Sequence, residues 1–193
     1  MVHRVSLLTL LTLSGSLVAV SPPLASNDTS PFPWRASLPP KHANSNPPVL
    51  VNISKLPKTV EVNITAAVTT LSLQPGVTST VFAYNGHFPG PTLDVREGDH
   101  VIVHFRNNLP EPTTIHWHGI RLPNAMDGVP YITQDPIKPG ATYTYEFTLR
   151  NSGSHMYHSH LNSADQVNRG LLGAFIIDPK DPASYPKYDK EYV

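Results

Sequence analysis

Two His-x-His pairs, His116-Trp117-His118 and His158-Ser159-His160, are the residues of this chain best suited to chemistry. Side chains alternate faces along a strand, so residues i and i+2 point the same way and each pair can close on one metal centre. Imidazole suits copper, zinc, iron and nickel, and copper heads the divalent affinity order. Four imidazoles converging from two strands therefore read as a metal site, with copper the leading metal. The competing chemistry is a zinc hydrolase, with three of the histidines on the ion, water in the open position and Asp127 as general base. His155, three residues before His158, is weighed as a further ligand and read as a local residue. His87, His100 and His104 stand apart from the pairs and are expected to be solvated or locally bonded, while His3 and His42 lie in the leading segments.

Strands must position the pairs, and the pattern supplies them. Val60, Val62 and Ile64 alternate with polar residues, as do Val101, Val103 and Phe105, and Tyr143, Tyr145 and Phe147; Leu172 to Ile177 is almost continuously apolar. Turn clusters separate these runs: Gln74-Pro75-Gly76, Asn85-Gly86, Glu97-Gly98-Asp99, Asn107-Asn108 and Lys138-Pro139-Gly140. Short strands at near-regular intervals, with no convincing helix among them, predict an all-β sandwich or barrel over residues 59–179.

The flanks read differently. Residues 1–21 have a basic start and an apolar run, the order of a secretory leader with too short and too polar a stretch for a membrane span. Residues 22–58, rich in Pro, Asn and Ser, are expected to form a poorly ordered arm. Residues 180–193 read as a linker and the start of a further domain. Asn27, Asn52 and Asn63 are N-glycosylation acceptors if the host is a eukaryote, in keeping with an extracellular product. Fourteen Lys plus Arg balance fourteen Asp plus Glu with no charged block, which gives no footing for nucleic acid or an anionic membrane surface. The chain has no cysteine, so disulfides and thiolate-ligated copper are both excluded within it.

Longer stretches carry a resemblance. Thr114-Ile115-His116-Trp117-His118-Gly119, Met126-Asp127-Gly128-Val129-Pro130, Thr133-Gln134-Asp135-Pro136-Ile137 and Tyr157-His158-Ser159-His160 resemble the first two copper signatures of the multicopper oxidases, in the laccase and ferroxidase branch. Tyr84 to Thr92 and Glu97-Gly98-Asp99 resemble the same family's N-terminal plastocyanin-like domain. The likeness runs from about Val60 to Asp178 and implies a Greek-key cupredoxin-like sandwich. It further implies that His116 binds the type 2 copper, that His118, His158 and His160 bind the type 3 pair, and that Asp127 helps deliver protons as dioxygen is reduced to water. Asp127 is also explained as the residue opening the Asp127-Gly128 turn.

The sequence departs from the family at three places. Asp135 stands where laccases commonly carry Cys, Met156 where Trp is usual, and Gly153-Ser154-His155 where Gly-Thr-aromatic is usual. The resemblance also implies further C-terminal cupredoxin domains that would bring the remaining copper ligands and the type 1 copper through which electrons enter. The reducing substrate would be a phenol, an aromatic amine or a metal ion, and this chain alone would not turn over. The alternative is a secreted single-domain copper-binding protein without catalysis, for which two copies closing a site between them is a variant.

Overall fold

The computed structural model describes residues 46–188 and 191–193. The leader, the arm up to residue 45 and Asn27 lie outside the described residues. Among the described residues, eight strands form two four-stranded sheets: β1 (Thr59–Gln74), β2 (Val77–Tyr84), β3 (Gly90–Arg96), β4 (His100–Asn108), β5 (Ile115–His118), β6 (Thr142–Thr148), β7 (Gly153–Ser159) and β8 (Leu172–Asp178). One sheet has the order β2-β1-β4-β6 and the other β3-β8-β7-β5. The pairs β1/β4 and β3/β8 are parallel and the others antiparallel.

Period-two alternation explains the sandwich. Val60, Val62 and Ile64 of β1, Val101, Val103 and Phe105 of β4, and Tyr145 and Phe147 of β6 are buried, while the residues between them face outward. The opposing sheet contributes Leu93, Val95, Trp117, Tyr157, Phe175 and Ile177 to the same core. Trp117, fully buried, meets Tyr145 and Phe175 edge-on with ring centroids 5.3 and 5.8 Å apart, and Phe147 in a tilted contact at 5.3 Å. Such contacts favour aromatic pairs beyond the area they bury.

The structure departs from the sequence expectation in two elements. A short helix, α1 (Ser163–Asn168), follows the second histidine pair where no helix was expected. It has six residues, too few for an apolar period to register. Residues 46–58, inside the stretch read as an arm, are tied to the sheets. Leu50 N–H donates to Thr92 O at 2.9 Å, Thr92 N–H to Pro48 O at 2.7 Å, and Ile53 N–H to Glu61 O at 2.8 Å. The Asn52 side chain accepts from Ser54 and Glu61 N–H, both at 2.9 Å, and donates to Thr59 O at 3.0 Å. Asn63 is exposed on β1. Among the described residues no helix is long and apolar enough to cross a membrane.

Candidate metal centre

Strand β5 is four residues long, and its alternation sorts His-Trp-His cleanly: Trp117 enters the core, while His116 and His118 stand on the outer face of the sheet. On β7, Tyr157 and Ser159 are buried, which leaves Met156 and His158 on that same outer face. The antiparallel register sets His116 opposite His158 and His118 opposite Met156. Residues in such pairs lie within side-chain reach of each other.

Backbone contacts fix both the start of β5 and the turn beside it. Ile115 N–H donates to the buried Tyr145 hydroxyl at 2.9 Å. Burial holds that phenol far above its usual range, so it stays neutral, and the Ile115 contact offsets only part of this shift. A 3-10 turn at Asn124–Met126 ends on Asp127 and delivers Gly128 against β5. Gly128 has φ +75°, and a Cβ there would stand 1.7 Å from Ile115 O, so only glycine lets the turn approach so closely.

That approach orients His116. Its Nδ1 lies 2.7 Å from Asp127 O and, because a carbonyl can only accept, Nδ1 carries the proton and Nε2 keeps its lone pair. The Asp127 carboxylate lies 3.4 Å from the same Nδ1, behind the ring with respect to Nε2. His158 is arranged alike: Nδ1 donates to Ser159 O at 2.8 Å and Nε2 is left to accept. Burial holds the His158 pKa below the ordinary histidine value, and the neighbouring imidazoles of His116, His118 and His160 push the same way against the Ser159 contact. A neutral ring is the ligand form.

The imidazoles converge. His118 Nδ1 lies 3.3 Å from His158 Nε2. That is near the spacing of two donors sharing one ion at bond lengths of about 2.0–2.1 Å. Ligand atoms of His116, His118 and His158 all lie within 4.8 Å of one another. His160 stands beside this trio, its ring centroid 4.9 Å from that of His116 and 6.1 Å from that of His158. The donor set, with two rings held by backbone carbonyls and their free nitrogens turned together, fits a transition metal.

Other residues hold the two pairs together or stay apart from the site. Gln166 of α1, buried, accepts from the Thr113 hydroxyl at 2.8 Å and donates to the Glu111 carboxylate at 2.7 Å and Pro112 O at 2.9 Å. It thereby ties the segment after His160 to the segment before His116. No sequence signal marked it, because its partners lie more than fifty positions away. His155 has the parity of Tyr157 and packs away from the trio. Its ring lies where a Cβ on Gly119 would come within 2.9 Å of Nδ1, and its Nε2 is 3.3 Å from the Asn151 amide.

Known proteins resemble this chain in sequence and fold. A family profile described as multicopper oxidase matches residues 65–182. Copper resistance protein A of Pseudomonas syringae pv. tomato is 46% identical over 114 residues, covering 59% of this chain and 18% of that protein. Laccase-1 of Cryptococcus neoformans var. grubii is 41% identical over 128 residues, covering 64% of this chain and 20% of its own length. Among solved structures, a multi-copper oxidase from Pseudomonas Thermotolerans superposes with TM-score 0.64 at 43% identity over 66% of this chain and 31% of that one. A Campylobacter jejuni multicopper oxidase, described as a metallo-oxidase, gives 0.67 at 33% over 76% and 31%. The chain spans about a fifth of the length of these curated relatives. With its signatures on a two-sheet sandwich and its imidazoles converged on one face, the chain belongs to the multicopper oxidase family, and copper is the metal that membership implies.

Proposed function

We propose that this chain is the N-terminal copper-binding domain of a secreted, laccase-like oxidase that couples one-electron oxidation of a phenol, aromatic amine or metal ion to the four-electron reduction of dioxygen to water. The observation that carries the reading is the convergence of His116, His118 and His158 ligand atoms within 4.8 Å on one sheet face. In this reading His116 serves the type 2 copper, while His118, His158 and His160 serve the type 3 pair. When bound, copper supplies the redox chemistry, and the protein's task is to hold, orient and exclude.

The contacts of each residue support this reading. His116 is held at Nδ1 by Asp127 O, and His158 at Nδ1 by Ser159 O, so neither ring must reorganise when a metal arrives. In this reading the Asp127 carboxylate, 3.4 Å from His116 Nδ1, passes protons through water without ligating. A zinc hydrolase would need that carboxylate on the open side of the ion, whereas it sits behind His116. Because the chain has no cysteine, a type 1 copper with a thiolate ligand must be supplied by other domains of the complete enzyme, together with the remaining trinuclear ligands. Asn52 and Asn63, with Asn27, are the proposed glycan acceptors.

Intact mass and peptide mapping of the deglycosylated product from its source test the proposal. The expected product continues past Val193 with cysteine and further His-x-His pairs. A mature product ending at Val193 would replace the oxidase reading with copper binding without turnover.

A further inference from the structure

The outer face of β5 and β7 holds a donor of a different kind. Met156 stands directly opposite His118 in the register and, two residues from His158, shares its face. The block is therefore square: His116 and His118 on one strand, His158 and Met156 on the other. On its far side Met156 is paired with Ala174 of β8, and along its own strand the residue on the same face is Ser154. Both of these neighbours are small, Leu172 stands beside His158 on the same face, and the residue across the register from Met156 is the imidazole of His118. Met126, the other described methionine, behaves differently: it packs on the core, and its sulfur accepts Glu146 N–H at 3.4 Å.

Chemistry separates the two donor types. Imidazole serves both copper oxidation states, while a thioether is soft and favours Cu(I) over Cu(II). A methionine side chain is unbranched and turns about three bonds, so its sulfur can follow an ion without moving the strand. The 3.3 Å spacing of His118 Nδ1 and His158 Nε2 is that of two donors sharing an ion, too short for them to oppose each other across it, so a further donor has room on the open side. We propose that Met156 is that donor, and that His118, His158 and Met156 form a site selective for the cuprous ion. The inference rests on the reading of this face as copper-binding and adds a ligand to it that the histidine signatures do not contain. Its consequence is that the face holds copper through reduction instead of releasing it.

The test uses the full chain under anaerobic conditions. Cu(I) affinity is measured by competition with a chromogenic cuprous chelator and Cu(II) affinity by direct titration, for the wild type, Met156→Leu and His158→Ala. Met156→Leu keeps the volume and apolarity of the side chain, and circular dichroism checks that each variant stays folded. The expected result for Met156→Leu is a loss of at least about tenfold in Cu(I) affinity with Cu(II) affinity changed less than about twofold. X-ray absorption of the Cu(I)-loaded wild type should show a sulfur neighbour at about 2.3 Å that the variant lacks. Unchanged Cu(I) affinity and a shell of nitrogen alone in both proteins would overturn the proposal while leaving copper on the histidines. If His158→Ala also left both affinities unchanged, the reading of the whole face would fall with it.

Discussion

Both sheets present histidines to the outside, and they are used in opposite ways. On β4, His100 and His104 point outward from the β2-β1-β4-β6 sheet. His104 Nε2 lies 2.7 Å from the Glu61 carboxylate and Nδ1 3.3 Å from the Thr144 hydroxyl. His100 Nε2 lies 2.9 Å from Glu146 and Nδ1 3.2 Å from Thr148. Every ring nitrogen there has an oxygen partner. On β5 and β7 the rings of His116 and His158 give one nitrogen to a backbone carbonyl and turn the other toward imidazole. Histidine on a strand surface is thus no signal by itself; the partners across the register decide. Carboxylates and hydroxyls satisfy a ring, whereas imidazoles opposite imidazoles leave lone pairs that only a proton or a metal can reconcile.

The sharpest way to break this contrast is to swap alanine into each face. His118→Ala and His160→Ala should abolish stable copper binding, a larger effect than the roughly 10–100-fold that follows loss of an outer-shell partner. His100→Ala and His104→Ala should leave copper stoichiometry unchanged by titration. Undiminished stoichiometry in both members of the first set would end the ligand assignment. Next in size is the residue joining the site strand to the core: Trp117→Ala should cost about 3–5 kcal/mol in denaturant unfolding, since it empties the centre of an aromatic cluster. Gln166→Leu comes third. It strips partners from the Thr113 hydroxyl and Pro112 carbonyl, for a loss of about 1–3 kcal/mol, and copper affinity should drop with it because the two histidine segments lose their tie. Smallest is Glu61→Gln. The Glu61–His104 pair is partly exposed on both sides, so its loss should shift stability by less than about 1 kcal/mol and leave copper binding untouched.

The same contrast shows what could be read ahead of the structure. The long strands were legible because Val60-Val62-Ile64 and Val101-Val103-Phe105 repeat with period two and bury one face. The histidine pairs were legible for the same reason, since alternation alone places His116 and His118 together. Parity also separates His155 from His158, and that was available from spacing three against spacing two. Gln166 was not legible: a buried amide in a six-residue helix obeys no period, and its value lies in partners brought near only by folding. Nor was the seating of residues 46–58, where backbone hydrogen bonds to Thr92 and Glu61 hold a segment whose proline-rich composition suggests solvent. Composition reports what a side chain prefers, and backbone pairing at a sheet edge asks little of side chains.

The register joining His116 to His158 spans more than forty positions, and its strands are not neighbours in the chain. Neither histidine pair alone is the site, and the chain must be synthesised through β7 and closed on itself before the trio exists. On the proposed copper-binding reading, tight binding belongs to the folded state. Free copper should raise the thermal midpoint in proportion to its logarithm once above the dissociation constant, and a cell short of copper would carry this domain at its lower, unliganded stability. Metal supply becomes a determinant of how much folded protein survives, quite apart from any reaction the metal performs.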